Sequence, residues 1–150
     1  MAPLDARMAG LVDITLNGQD HSVEFDPGTS LLHLLRNELG LRSMKDGCAP
    51  EGSCGACTVI VDGRPVVSCA QPAERFEGKA IETLEGLPED SRDLWADAFS
   101  ATGASQCGYC TPGIVMKAEA LLRKDAEPER DIITKALAGN LCRCTGYLSI

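Results

Sequence analysis

Eight cysteines fall into two groups of four, and that grouping constrains the fold more than any other feature. The first group is Cys48, Cys54, Cys57 and Cys69, spaced C-x5-C-x2-C-x11-C. Three of them sit in the stretch Asp46-Gly47-Cys48-Ala49-Pro50-Glu51-Gly52-Ser53-Cys54-Gly55-Ala56-Cys57-Thr58, and Cys69 follows a strand-like run. Four thiolates can meet on one small inorganic core only if a loop wraps it, turning sharply and aiming N–H groups at sulfur. Gly47, Gly52 and Gly55 permit positive φ and close backbone approach. Inward N–H groups offset the negative charge of such a core and raise its potential.

This spacing is close to the plant-type pattern that holds a [2Fe–2S] cluster. The second group is Cys107, Cys110, Cys142 and Cys144, spaced C-x2-C-x31-C-x-C. Each of its pairs falls at the end of a helical pattern, so two inter-helix corners can meet and share a cluster. Cys110 precedes a helix N-terminus, whose free N–H groups favour thiolate, and Arg143 lies between two ligands. On spacing alone this set also suits a four-cysteine zinc site. A thioredoxin-like use of Cys107-Gly108-Tyr109-Cys110 leaves Cys142 and Cys144 without a role. A disulfide framework is disfavoured, because no signal peptide precedes the fold and 150 residues can bury a core without staples.

Before the first cysteines the apolar residues alternate. Val12, Ile14 and Leu16 share one face, Asn17-Gly18 signals a hairpin, and Val23 and Phe25 alternate again. Thr29 or Ser30 can cap a helix running from Leu31 to about Leu39, with Gly40 at its C′ position. Thr58 to Val61, a turn at Asp62-Gly63 and Pro65 to Cys69 form a second hairpin, and Ile81 to Leu84 adds a further strand. Past Gly86-Leu87-Pro88 the period changes from about 2 to about 3.6. Ser91 caps a helix with Leu94, Trp95, Ala98 and Phe99 on one stripe. Thr111-Pro112 opens a second, with Ile114, Val115, Ala118, Leu121 and Leu122 inward. Pro128 opens a third with Ile132, Ile133, Ala136 and Leu137 inward, Gly139-Asn140 breaks it, and Leu148-Ser149-Ile150 starts a fourth. The expected fold class is α+β: a flexible tail over 1–10, an N-terminal β-grasp ferredoxin-like domain over 11–85, and a C-terminal helical bundle domain over 86–150.

A formal net charge of −8, with roughly −2 more for each oxidised cluster, repels phosphate backbones and makes nucleic acid an unsuitable partner. Aromatic residues make up 4% of the chain, too few for a base-stacking platform. No apolar run is long enough to span a membrane. Met1 to Arg7 carries neither a hydrophobic run nor a twin-arginine pair, so the expected location is the cytoplasm, although a subunit exported with a partner would look the same. His21 and His33 are single and scattered, as surface residues are. No Ser/His/Asp or paired-carboxylate arrangement suggests catalysis by this chain itself.

Gly47-Cys48, Cys54-Gly55-Ala56-Cys57-Thr58-Val59, Gln106-Cys107-Gly108-Tyr109-Cys110-Thr111-Pro112-Gly113 and Cys142-Arg143-Cys144-Thr145-Gly146-Tyr147 together resemble the iron–sulfur subunit of the molybdenum hydroxylases, the xanthine dehydrogenase and aldehyde oxidoreductase family. The likeness covers about residues 11–150 in family order. It implies an oxidoreductase subunit that carries electrons through two [2Fe–2S] clusters. These come from a molybdopterin centre, as the cytosine dinucleotide, on a large partner, and go towards FAD on a medium partner subunit or another acceptor. By position, Cys48, Cys54, Cys57 and Cys69 hold the outer cluster, and Cys107, Cys110, Cys142 and Cys144 the molybdenum-proximal one. Gly47, Gly52, Gly55 and Gly108 supply cluster-loop backbone, and Gln106 approaches the pterin. Without the resemblance, Gln106 reads as an ordinary loop residue. A free-standing two-cluster carrier is the competing function, separated from the first by whether a large molybdenum protein accompanies the chain.

Overall fold

The computed structural model describes residues 10–150. Of the expected tail, residues 1–9 lie outside the described residues. Gly10 belongs instead to β1 (Gly10–Leu16), where it pairs with Phe25 of β2 (Gln19–Phe25). The Asn17-Gly18 turn joins the two strands with both residues at positive φ, 50° and 80°, which suits the twist of an antiparallel pair. Alternation holds as expected: Val12, Ile14, Leu16, Val23 and Phe25 are buried on one face.

Ser30 caps the next element, its hydroxyl accepting from the His33 N–H at 3.2 Å. One α turn, α1 (Leu31–His33), then widens into a π-helical turn over Leu34–Glu38 rather than continuing as regular helix. Leu31, Leu34 and Leu35 are fully buried beneath the sheet. Each stabilises the fold by about 1.5–3 kcal/mol relative to an exposed side chain. The cysteine loop follows, then β3 (Thr58–Val61), β4 (Arg64–Val67) and β5 (Ala80–Glu82). The strand order is β2-β1-β5-β3-β4, with β5 parallel to β1 and antiparallel to β3. Leu84, expected at the end of the last strand, begins a 3₁₀ turn over Leu84–Gly86. Cys69 sits just past β4 in another, Ser68–Ala70.

The helices are α2 (Glu89–Thr102), α3 (Thr111–Leu122) and α4 (Arg130–Leu137). Helix α2 begins before the expected cap: Pro88 stands at the N-cap, Glu89 and Asp90 fill the acidic first turn, and Ser91 lies inside the helix. Leu94, expected inward, is 69% exposed, and Phe99 is the buried anchor of α2. Leu122 and Ile132, also expected inward, are exposed. No helix starts at Leu148; the chain turns there, with Ile150 N–H donating to the Tyr147 carbonyl at 3.3 Å.

The helices do not form the separate bundle expected from their period, because they share the sheet's core. All four residues of β3 are buried. Val59 and Val61 face the cluster around α1, while Ile60 packs with Phe99, Ile114, Val115 and Met116. A strand covered on both faces reads as a continuous apolar run, and that run hides which side carries the second layer. Arg123 of α3 adds a bidentate pair to Glu82 of β5 at 2.8 and 3.0 Å. Among the described residues no helix is long and apolar enough to cross a membrane.

Candidate electron-transfer site

The loop from Asp46 to Cys57 is held from below by the sheet. Lys45 N–H donates to the Ala56 carbonyl at 3.0 Å, and Ser68 Oγ donates to the Cys57 carbonyl at 2.7 Å. Gly52 and Gly55 take φ of +68° and +70°, as expected for turns in such a loop. Gly47 serves differently. Its φ is ordinary, but a Cβ there would lie 2.9 Å from Cys54 Sγ. The N–H groups do point at sulfur: Ser53 and Cys54 donate to Cys48 Sγ at 3.2 and 3.3 Å, and Cys69 donates to Cys57 Sγ at 3.4 Å.

The second quartet gathers at the helix corners. Gly108 turns with φ of +75° between Cys107 and Cys110. Thr145 Oγ1 lies 3.2 Å from Cys142 Sγ, and the Cys142 N–H donates to Tyr147 Oη at 2.7 Å. A cavity of about 340 Å³ is lined by all four cysteines with Gln106, Tyr109, Leu141 and Arg143. Gln106 is exposed and donates from Nε2 to the Cys144 carbonyl at 3.3 Å.

Within each quartet the thiols meet in pairs: Cys48 with Cys54, Cys57 with Cys69, Cys110 with Cys142, and Cys107 with Cys144 at 3.5 Å between sulfurs. In the pairs Cys48–Cys54, Cys110–Cys142 and Cys107–Cys144 the acidities split. Burial opposes ionisation of Cys48, but hydrogen bonds from Ser53 and Cys54 outweigh it and bring the thiol down to about 7. Burial pushes Cys54 up, with Cys48 adding to the shift. Burial also pushes Cys69 up to about 12, reinforced by Cys57, and Cys110 up to about 11, reinforced by Cys142. Cys142 comes down to about 7 because hydrogen bonds from Thr145, Cys144 and Cys110 overcome its burial. The Tyr109 N–H, helped by Cys144, lowers Cys107, and Cys107 in turn raises Cys144. One thiol of such a pair ionises readily; the second keeps its proton until a cation compensates the like charge. Two thiols presented side by side, twice in each quartet and with N–H groups behind them, suit a core of two irons taking two thiolates each.

The two quartets are stitched together directly. Leu141 N–H, next to Cys142, donates to the carbonyl of Cys54 at 2.9 Å. Buried Asn140 donates from Nδ2 to the Gly55 carbonyl at 3.2 Å. Tyr109 Oη donates to the Asp46 carbonyl at 2.6 Å. Glu85 ties the approach to the loop from the other side, accepting from the Arg42 and Ser43 N–H groups at 3.0 and 2.8 Å. None of these residues follows from cysteine spacing. Tyr109 lies inside the matching Gln106–Gly113 stretch, and Asn140, a polar residue abutting the Leu141-Cys142 corner, reads there as a helix breaker.

Residues 14–84 match the family described as a 2Fe-2S iron-sulfur cluster binding domain, and residues 83–150 match a [2Fe-2S] binding domain. The second match answers the zinc alternative that spacing left open. The nicotinate dehydrogenase small FeS subunit of Eubacterium barkeri is 49% identical over 93% of this chain and 88% of that one. The xanthine dehydrogenase iron-sulfur-binding subunit of Escherichia coli O157:H7 is 47% identical over the same shares. This chain belongs to the small iron–sulfur subunits of the molybdenum hydroxylase family. The subunit's role is electron transfer within an oxidoreductase, with substrate chemistry outside it. Its fold matches a chain of quinoline 2-oxidoreductase from Pseudomonas putida 86 with a TM-score of 0.88, at 38% identity over 94% of the subunit and 87% of that chain. It also matches aldehyde oxidoreductase from Desulfovibrio gigas with a TM-score of 0.83, at 37% identity over 92% of the subunit but only 16% of that chain. There the equivalent region is one part of a much longer polypeptide.

Proposed function

We propose that Cys48, Cys54, Cys57 and Cys69 hold an outer [2Fe–2S] cluster and that Cys107, Cys110, Cys142 and Cys144 hold a second, molybdenum-proximal one. The facing thiol pairs are the observation that carries this reading, each pair serving one iron. Residues 11–85 and 86–150 then act as the two cluster-binding units, the second helical. Bound there, each cluster takes up and gives back one electron at a time. The chain's own part is to hold the thiolates, to offset their charge with the Ser53, Cys54 and Cys69 N–H groups, and to set the gap between the quartets. Gly47, Gly52, Gly55 and Gly108 shape the loops that do so. A large molybdopterin subunit, carrying the cytosine dinucleotide form, is the source of electrons, and an FAD-binding medium subunit is the next acceptor.

Metal and sulfide analysis of anaerobically prepared protein tests the quartets. About two irons and two acid-labile sulfides per quartet are expected, with two distinct S = 1/2 EPR signals on reduction. One signal, with zinc in the other quartet, would refute the second-cluster assignment. Purification from the native host tests the partner: a large molybdenum protein is expected to come with the chain, and a chain that comes alone would favour the free carrier.

Gln106 is assigned the pterin contact, since it lies beside Cys107 and Cys144 at the rim of the second quartet. In the complex, Gln106→Ala is expected to keep both EPR signals and to slow molybdenum-to-cluster transfer by about tenfold, as a small misplacement of a positioned group does. An unchanged transfer rate would remove Gln106 from the site.

A further inference from the structure

We propose that the hydrogen bond from Leu141 N–H to the Cys54 carbonyl is the junction through which electrons cross between the quartets, and that Asn140 and Tyr109 are the positioning residues that hold it closed. This rests on the assignment of one cluster to each quartet. Cys54 belongs to the outer set and Cys142 to the second, and a single hydrogen bond of 2.9 Å joins the backbone of Cys54 to that of Leu141, the residue next to Cys142. Between the Cys54 and Cys142 side chains this route is backbone alone. Two further connections are longer: Asn140 Nδ2 to the Gly55 carbonyl runs through a side-chain amide, and Tyr109 Oη to the Asp46 carbonyl runs through an aromatic ring and reaches Cys48 only by way of Gly47.

The surroundings keep the junction short. Asn140 is 4% exposed, and its Nδ2 holds the Gly55 carbonyl, one peptide beyond the Cys54 carbonyl. Gly55 in turn has no room for a side chain, since a Cβ there would lie 2.6 Å from the Gly139 carbonyl and 2.7 Å from Asn140 Nδ2. Tyr109 pins the opposite side of the loop, and its ring lies 3.5 Å from the position a Cβ on Gly47 would take. The two clamps bracket Cys54 from both directions along the chain. The step moves one electron: the second cluster is oxidised and the outer one reduced, no covalent bond changes, and the Leu141 N–H keeps its proton. The family's molybdenum centre supplies the electrons in the complex, and a viologen radical can supply them to the isolated chain.

The test uses the full chain loaded with both clusters. One-electron reduction by a photogenerated viologen radical is followed by the approach of the two clusters to redox equilibrium, with EPR giving each cluster's g-values and the magnetic coupling between them. Asn140→Ala is expected to slow inter-cluster equilibration by about tenfold and to weaken the coupling, while both clusters keep their g-values and midpoint potentials. Tyr109→Phe, which removes one hydroxyl and keeps the ring, is expected to act in the same direction by a few fold. Where Asn140→Ala fails to hold a cluster, Tyr109→Phe decides. Arg123→Gln loosens the same helix layer at its far end, away from the junction, and is expected to leave the exchange rate unchanged. Unchanged exchange in Tyr109→Phe, or equal slowing in Arg123→Gln, would overturn the proposal. Absence of two clusters in the parent chain would instead sink the two-cluster assignment beneath it.

Discussion

Cys57→Ser is expected to erase the outer cluster's EPR signal while the second cluster's signal stays largely intact. Cys57 is 1% exposed and faces Cys69, itself 3% exposed, so no water stands ready to replace a lost thiolate. A serine hydroxyl is far less acidic than a thiol and makes a harder ligand, and the buried site discourages its ionisation further. Loss of a neighbouring supporting residue typically lowers metal affinity by about 10–100-fold, and loss of a ligand exceeds that. The carbonyl of residue 57 still accepts from Ser68 Oγ, so the sheet beneath the loop is expected to survive. Independence of the second signal follows from its separate ligands. Disappearance of both signals would show that the quartets assemble as one unit.

Gly113→Ala is expected to destabilise the chain by about 2–3 kcal/mol, lowering the melting temperature by about 5–10 °C. Taken alone, alanine improves a helix interior by about 1 kcal/mol. Here the new Cβ would overlap the Gly55 carbonyl oxygen and lie 3.0 Å from Ala56 Cα. Both are backbone atoms that cannot swing aside. The Gly55 carbonyl also accepts from Thr58 Oγ1 at 2.7 Å and from Asn140 Nδ2 at 3.2 Å, so moving it forfeits those bonds as well. Gly139→Ala is the control in the same corner. Nothing lies within 4 Å of its Cβ position and its φ is not left-handed, so a change of about 0.5 kcal/mol or less is expected. Thermal unfolding of the loaded chain measures both; a neutral Gly113→Ala would mean that α3 and the cysteine loop are not in rigid contact.

The two hairpins were legible because Asn17-Gly18 and Asp62-Gly63 are local signals: each needs only its own left-handed backbone and alternating neighbours. The first helix was legible through Ser30 and Gly40, but its π turn was not, since nothing within Leu31–Leu39 itself marks the widening. Helix faces are less legible. Leu94, Leu122 and Ile132 fit an apolar stripe yet stand at the surface, because periodicity says which residues share a face and not how much of that face a neighbour covers.

The eight cysteines, their two spacings and the glycines that let Gly52 and Gly55 turn back were determined by the sequence, because ligand chemistry and positive φ are properties of single residues and short loops. Which thiols face one another, and how the two quartets are joined, was decided only by the tertiary structure. Leu141 meets Cys54 because α3 lies on a strand buried from both sides, and Asn140 and Tyr109 find carbonyls across that contact. Such pairings depend on distances between segments far apart in the chain, and on the absence of a side chain at Gly55 and Gly113, where backbones must touch.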